Sequence, residues 1–197
     1  MHIQSKKVVI RIKFLYHGTI NTHAANIVCK GILLTESKPH LDFGPGFYTT
    51  PDYAFALETA KNHAKKHNYF HQPDPPVTPK VLVFEVDEKL FNAMNHKEFK
   101  SADSNWAKFI LANRCTNPSV HERYDNNLNA KYDIVSGPTA DGKGTFTPIV
   151  EAINSGDLSI EDANYDGFAP AKHKKWGKQI SFHTDQSISC IRLKSVL

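Results

Sequence analysis

The sequence predicts an α+β domain. Three observations carry that reading. β-branched or alternating stretches outnumber long helical ones, helices interrupt them without the regular alternation of a doubly wound sheet, and no repeat or low-complexity tract occurs. A length of 197 residues suits a single domain over 1–197 with one sizeable core.

The elements follow in order. Val8–Tyr16 (VVIRIKFLY) alternates and is β-branched, which predicts a strand ending at His17-Gly18-Thr19. A short helix follows, with Thr22 as N-cap, Ala24, Ala25, Ile27 and Val28 as its apolar side, and Gly31 as its stop. Ile32–Leu34 is a short extended piece. Phe43-Gly44-Pro45-Gly46 is a tight turn feeding a strand over Phe47–Thr50. Pro51 and Asp52 open a helix to about His67, with Tyr53, Ala56, Leu57, Ala60 and Ala64 on one face. Prolines 73, 75, 76 and 79 make a rigid connector too short for a domain boundary. Lys80–Val86 is the clearest buried strand. Trp106, Phe109 and Ile110 mark a helix begun near Asp103 or Ser104, and Cys115–Ala130 reads as a polar loop. Tyr132–Ser136 is a strand closed by Gly137-Pro138, and Thr147-Pro148 caps a helix that stops at Gly156. Gln179–Thr184 and Cys190–Leu197 are the last strands.

Composition narrows function. Apolar residues at 40% and aromatics at 11% exclude a disordered chain. The formal charge of +4 permits an anionic partner without requiring one. No apolar run approaches the ~18 residues of a membrane span, and the first residues lack a signal peptide's apolar stretch. Cys29, Cys115 and Cys190 are odd in number and far apart, which reads as reduced thiols of a cytoplasmic protein. Phosphate-loop, zincin, α/β-hydrolase and dinucleotide-fold signatures are absent. His63, His67 and His71 repeat at metal-ligand spacing. Lys65 and Lys66 beside them disfavour a cation, so they read as a solvated helix end, and no metal site is expected. Ala171–Lys178 (AKHKKWGK) has a composition able to clamp a phosphate chain, but reads as a solvated loop with Trp176 tucked beneath.

Three stretches are informative together: Leu15-Tyr16-His17-Gly18-Thr19 with Gly31-Ile32, Phe43-Gly44-Pro45-Gly46-Phe47-Tyr48, and Lys178-Gln179-Ile180-Ser181-Phe182-His183. In this order they resemble the ADP-ribosyltransferase superfamily, on its diphtheria-toxin and poly(ADP-ribose) polymerase side. With Trp106–Arg114 and Tyr132–Asp141, the sequence also looks like an uncharacterised bacterial family assigned to that fold and suspected of toxin or effector roles. This second resemblance covers about residues 12–195. That to the polymerases is confined to the three motifs.

The resemblance implies a split β-sheet core with short flanking helices, and NAD as substrate. It implies a cofactor-binding set of His17, Gly18, Thr19, Gly44, Gly46, Phe47 and Tyr48, and a catalytic set of His17, Tyr48 and Gln179. His17 would hold a ribose hydroxyl, Gly18 would pair its backbone with the nicotinamide amide, and Tyr48 would stack on nicotinamide. Thr19 would add a hydroxyl near the adenosine, and the two glycines would let the turn bend. The implied partners are a macromolecular acceptor, protein or nucleic acid, and an antitoxin protein, with no membrane.

Two departures stand out. Gln179 occupies the usual glutamate position. An amide oxygen accepts the ribose hydroxyl without charge, a loss of about 1–3 kcal/mol or roughly ten- to a hundredfold in rate. It also argues against polymer elongation. Thr59 stands where the polymerases carry a second stacking tyrosine, leaving Tyr53 or Phe55 to complete the sandwich. The leading expectation is a mono-ADP-ribosyltransferase. The alternative is a degenerate module that binds NAD, ADP-ribose or a protein partner without catalysis.

Overall fold

In the computed structural model, which describes residues 12–140, 146–163 and 177–197, the strands sort into two sheets. β1 (Phe14–Ile20), β3 (Pro79–Val86) and β7 (Ile191–Val196) form an antiparallel sheet in the order β1-β3-β7. β2 (Phe47–Thr49), β4 (His96–Glu98), β5 (Ile134–Pro138) and β6 (Lys178–Phe182) form the second, in the order β2-β6-β5-β4, with β4 and β5 parallel. The helices are α1 (Asn21–Lys30), α2 (Tyr53–His71), α3 (Glu88–Ala93), α4 (Ser104–Arg114), α5 (Pro118–Arg123), α6 (Phe146–Ser155) and α7 (Asp185–Ile188). The architecture is α+β, as predicted.

Strand alternation sorts the side chains into layers. Leu15, Leu82 and Phe84 from the first sheet meet Phe47, Ile134, Ile180 and Phe182 from the second in one apolar cluster between the sheets. On the outer face of the first sheet, Ala56 and Ala60 of α2 pack on Val81 and Tyr16. On the outer face of the second, α4 brings Trp106, Phe109 and Ile110 against Phe43, Phe99 and Val135. The core is therefore divided by the second sheet, where the sequence suggested one mass. Cys115 and Cys190 are buried thiols and Cys29 is exposed, all three free.

Several expectations need correction. β1 does not end at His17-Gly18-Thr19 but runs through it, because β3 pairs residue by residue as far as Ile20. Val8–Arg11 lie outside the described residues. α1 starts at Asn21 without a side-chain cap, so Thr22 is not its N-cap. Asn21 is instead tied to Thr78 by its backbone N–H and its side-chain oxygen, so the strand passes directly into the helix. Of the expected apolar side only Ala24 is buried, and Val28 is exposed. Leu34–Glu36 forms a 3-10 turn, and α6 already includes Phe146, so Thr147 lies inside it. Within the expected loop after Cys115, Asn117 caps α5 through Ser119 N–H with Pro118 in its first turn. That signal stood in the sequence. α3, β4 and α7 are too short to register as periodicity.

α2 begins where Asp52 accepts from the N–H groups of Ala54 and Phe55, and it buries Ala56, Ala60 and Ala64. Small side chains let it lie close on β1. The closeness is extreme at Gly18, where an added Cβ would sit 1.9 Å from the Ala56 carbonyl oxygen. Gly31, at φ 77, has open space around it. Gly18→Ala must push α2 off the sheet and is expected to cost about 3 kcal/mol or more in urea unfolding. Gly31→Ala, at φ 77 and ψ −172, meets only backbone strain, about 1–3 kcal/mol. A Gly18→Ala cost below about 1 kcal/mol would refute the packing argument.

Candidate active site at the split between the sheets

The two sheets touch at one bridge. Tyr16 and Thr50 exchange backbone hydrogen bonds of 2.8 and 2.9 Å. Antiparallel continuation would set Gly18 against Tyr48, but no such pair forms between them and the strands part. His17 spans the gap instead, its Nδ1 lying 2.7 Å from the Tyr48 carbonyl oxygen and its ring 4.6 Å from that of Phe47.

A carbonyl only accepts, so Nδ1 carries the proton and Nε2 presents a lone pair. Burial, opposed by the bond to Tyr48 and aided by His63 and His23, lowers the pKa of His17 to about 4. The ring is neutral at physiological pH, with an acceptor ready for a hydroxyl.

A cleft of about 500 Å³ opens on this side, lined by His17, Thr19, Gly46, Phe47 and Tyr48 together with α1 and the Gly31–Lys38 segment. The volume suits a small molecule. Its charged rim is mostly basic, with Lys30 and Lys38 against Glu36.

Gly18 faces away from the cleft, toward α2, yet its backbone does not. Val81, opposite it, bonds to Leu197 on the β7 side, and Tyr16 bonds to Thr50. Alternation therefore aims the Gly18 N–H and C=O off the free edge of β1, into the gap.

Tyr48 and Gln179 share the outer face of the second sheet, since Tyr48 pairs with Ser181 two residues along β6. One register step beyond the Thr49–Ile180 pair puts Gln179 across from Thr50, and so about two strand spacings, roughly 10 Å, from Tyr16. Gln179 does not line the cleft. It is 8% exposed, and its Nε2 donates to Asp42 Oδ2 at 2.9 Å. The structure thus brings His17, Thr19, Gly46, Phe47 and Tyr48 to one cavity and leaves Gln179 on the far side of the split. Gly44 points elsewhere: at φ 87 it sits where a Cβ would meet the Asn127 carbonyl.

The Tyr48 hydroxyl donates to Gly44 O at 2.7 Å and accepts from Phe43 N–H at 2.9 Å, which closes the turn. Burial, with Asp42 nearby, pushes its pKa well up. Of the two candidate partners for stacking, Tyr53 packs edge-on against Tyr16, whereas the Phe55 ring lies against Gly177, two residues before Gln179. Phe55 is therefore the one of the two that lies at the start of β6. Thr59 bonds back to the Phe55 carbonyl.

Sequence reasoning missed the residues that hold this turn. Ser37 Oγ accepts from Gly46 N–H at 2.7 Å and donates to Gly46 O at 3.0 Å. His183 Nδ1 lies 2.6 Å from Pro45 O, its Nε2 accepts from Ser181, and its ring fills the space a Gly46 side chain would need. Asp42 pairs with Arg114 of α4, with Nε at 2.9 Å. The Ser-x-His spacing in β6 was a readable signal; Ser37 and Arg114 had none. Among the described residues no group of three or more metal-ligating side chains forms. Residues 171–176 of the basic segment lie outside the described residues.

His17 and His183 both fall from 6.5 to about 4, chiefly by burial. The unfolded chain takes up their protons first. The stability they protect is therefore complete above pH 6.5 and lost as pH falls toward 4. Each is expected to cost roughly 2 kcal/mol between pH 7 and pH 5. In urea unfolding at the two pH values, His183→Gln should lose about that much less than wild type, and an unchanged difference would contradict the assignment.

Nothing among curated proteins matches the chain. Residues 14–193 match a family described as protein of unknown function (DUF3990). With the match spanning both sheets and every residue of the cleft, the chain belongs to the DUF3990 family.

Proposed function

We propose that this protein is a mono-ADP-ribosyltransferase that moves ADP-ribose from NAD to a macromolecular acceptor, in the manner of a bacterial toxin or effector. The observation that carries the reading is the split itself. It sets a neutral His17 acceptor, the free backbone edge of Gly18 and the Tyr48 strand around one gap, and those are the three elements the resemblance assigns to NAD.

In this reading NAD threads the gap. Its adenosine side occupies the cleft, where Lys30 and Lys38 suit a diphosphate. Its nicotinamide reaches the outer side, between Tyr48 and Phe55, with its amide on Gly18 N–H and C=O. A ribose hydroxyl donates to His17 Nε2. The glycosidic bond breaks with nicotinamide leaving and positive charge building on the ribose, and the Gln179 oxygen accepts from a ribose hydroxyl there. Gln179 supplies a dipole rather than a charge, so transfer is slow and stops at one unit.

A second reading is a binding module for NAD or ADP-ribose without turnover. The observation in its favour is that Gln179 spends its amide nitrogen on Asp42. An antitoxin protein remains the proposed cellular partner in either case. Among the described residues no helix is long and apolar enough to cross a membrane.

Nicotinamide release and transfer of labelled ADP-ribose to cell lysate, measured separately, distinguish the readings. Wild type should show both, and His17→Ala should lower both about ten- to a hundredfold. Thermal stabilisation by NAD without release would establish the binding module, and neither effect at millimolar NAD would overturn both.

Tyr48→Ala should remove most of the NAD-induced thermal shift. Tyr48→Phe should keep it yet lower stability by about 1–2 kcal/mol, because the hydroxyl closes the turn.

A further inference from the structure

Asp42 is the hub of a buried polar knot on the outer face. Its Oδ1 accepts from both Nε and an amino nitrogen of Arg114. Its Oδ2 accepts from Gln179 Nε2 at 2.9 Å and from Ala140 N–H at 3.3 Å. Three segments distant in sequence thus converge on a carboxylate that is 8% exposed. The knot sits next to the catalytic turn, since Asp42 adjoins Phe43, whose N–H is bound by the Tyr48 hydroxyl.

The donor pattern has a consequence for Gln179. An ionised carboxylate has no proton to give, so the end of the amide that faces it must be the NH2. Pro138 O lies 3.5 Å from the same nitrogen, and it too only accepts. A flipped amide would set its oxygen against two acceptors. The orientation is therefore locked, and the carbonyl oxygen is the end Gln179 can offer to a ligand.

We propose that Asp42 is a positioning residue that fixes the Gln179 amide with its oxygen toward the ribose, while Arg114 holds Asp42 in place. The inference rests on the transferase reading and deepens it. Glutamine is then not a decayed glutamate. Asp42 and Gln179 are a matched acceptor and donor, and a glutamate at 179 beside Asp42 would bring two carboxylates together. This reverses the simplest expectation from charge alone, that Gln179→Glu improves the enzyme. It also predicts partial exchangeability: Asp42→Asn with Gln179→Glu rebuilds one carboxylate bonded to one amide, while the Ala140 N–H loses its acceptor and Pro138 O loses its donor.

The test is a double-mutant cycle with Asp42→Asn, Gln179→Glu and the two combined, read by nicotinamide release and by urea unfolding. Each single change should lower kcat about tenfold or more per folded molecule with little change in KM for NAD. The combined variant should recover part of the loss, so that it is more active than the product of the two single losses. Losses that simply multiply in the combined variant, or a wild-type kcat in Asp42→Asn, would overturn the proposal. A purely structural Asp42 would lower the unfolding midpoint and leave kcat of the folded fraction intact, which also overturns it. Absence of release from the wild type overturns the transferase reading and with it this role, while the unfolding cycle still shows whether residues 42 and 179 are coupled.

Discussion

Two backbone hydrogen bonds between Tyr16 and Thr50 are the constraint on which the site depends. They fasten two sheets at one point and let them diverge beyond it. Had the pairing continued, Gly18 would have closed on Tyr48 and no gap would exist. Had it been absent, only side-chain contacts would hold the two layers in register. The divergence is kept open from both sides: α2 lies so near β1 that only glycine fits at 18, and the inter-sheet apolar cluster holds the inner faces together.

The segment from Ser37 to Tyr48 is the least regular part of the site and the most heavily bonded. Ser37 clamps Gly46, Tyr48 ties back to Phe43 and Gly44, His183 braces Pro45, and Arg114 with Gln179 anchors Asp42. The first two close the loop on itself, and the others join it to the residue after β6, to α4 and to β6. A turn with two glycines loses much conformational freedom on folding, and a set of buried hydrogen bonds offsets that cost while fixing one geometry. Burial keeps His17 and His183 neutral against the opposing pull of their bonds to Tyr48 O and Pro45 O, and those bonds set the tautomer of each ring.

Family membership adds scope to this picture without adding chemistry. The matched span of residues 14–193 includes His17, the turn and β6, so the split and its bracing belong to the matched region rather than to an appendage. What distinguishes the outer face chemically is an amide at 179 with a carboxylate at 42 within hydrogen-bond reach.

The sequence by itself determined the α+β class, the strands at β3, β5, β6 and β7, α4 from near Asp103 or Ser104, and the tight turn before Phe47. These follow from local rules: alternation, capping and glycine geometry act over a few residues. It also singled out His17, Tyr48 and Gln179, because short motifs are read along the chain. Only the tertiary structure decided that His17 and Gln179 lie on opposite faces of the split, that Gly18 serves packing on α2 through its missing side chain, and that Phe55 rather than Tyr53 lies against Gly177. Only it revealed the partners Asp42 and Arg114. The reason is physical. Which face a side chain takes is set by strand register, and which carboxylate meets which amide is set by contacts between segments 72 and 137 residues apart, for which no local pattern exists.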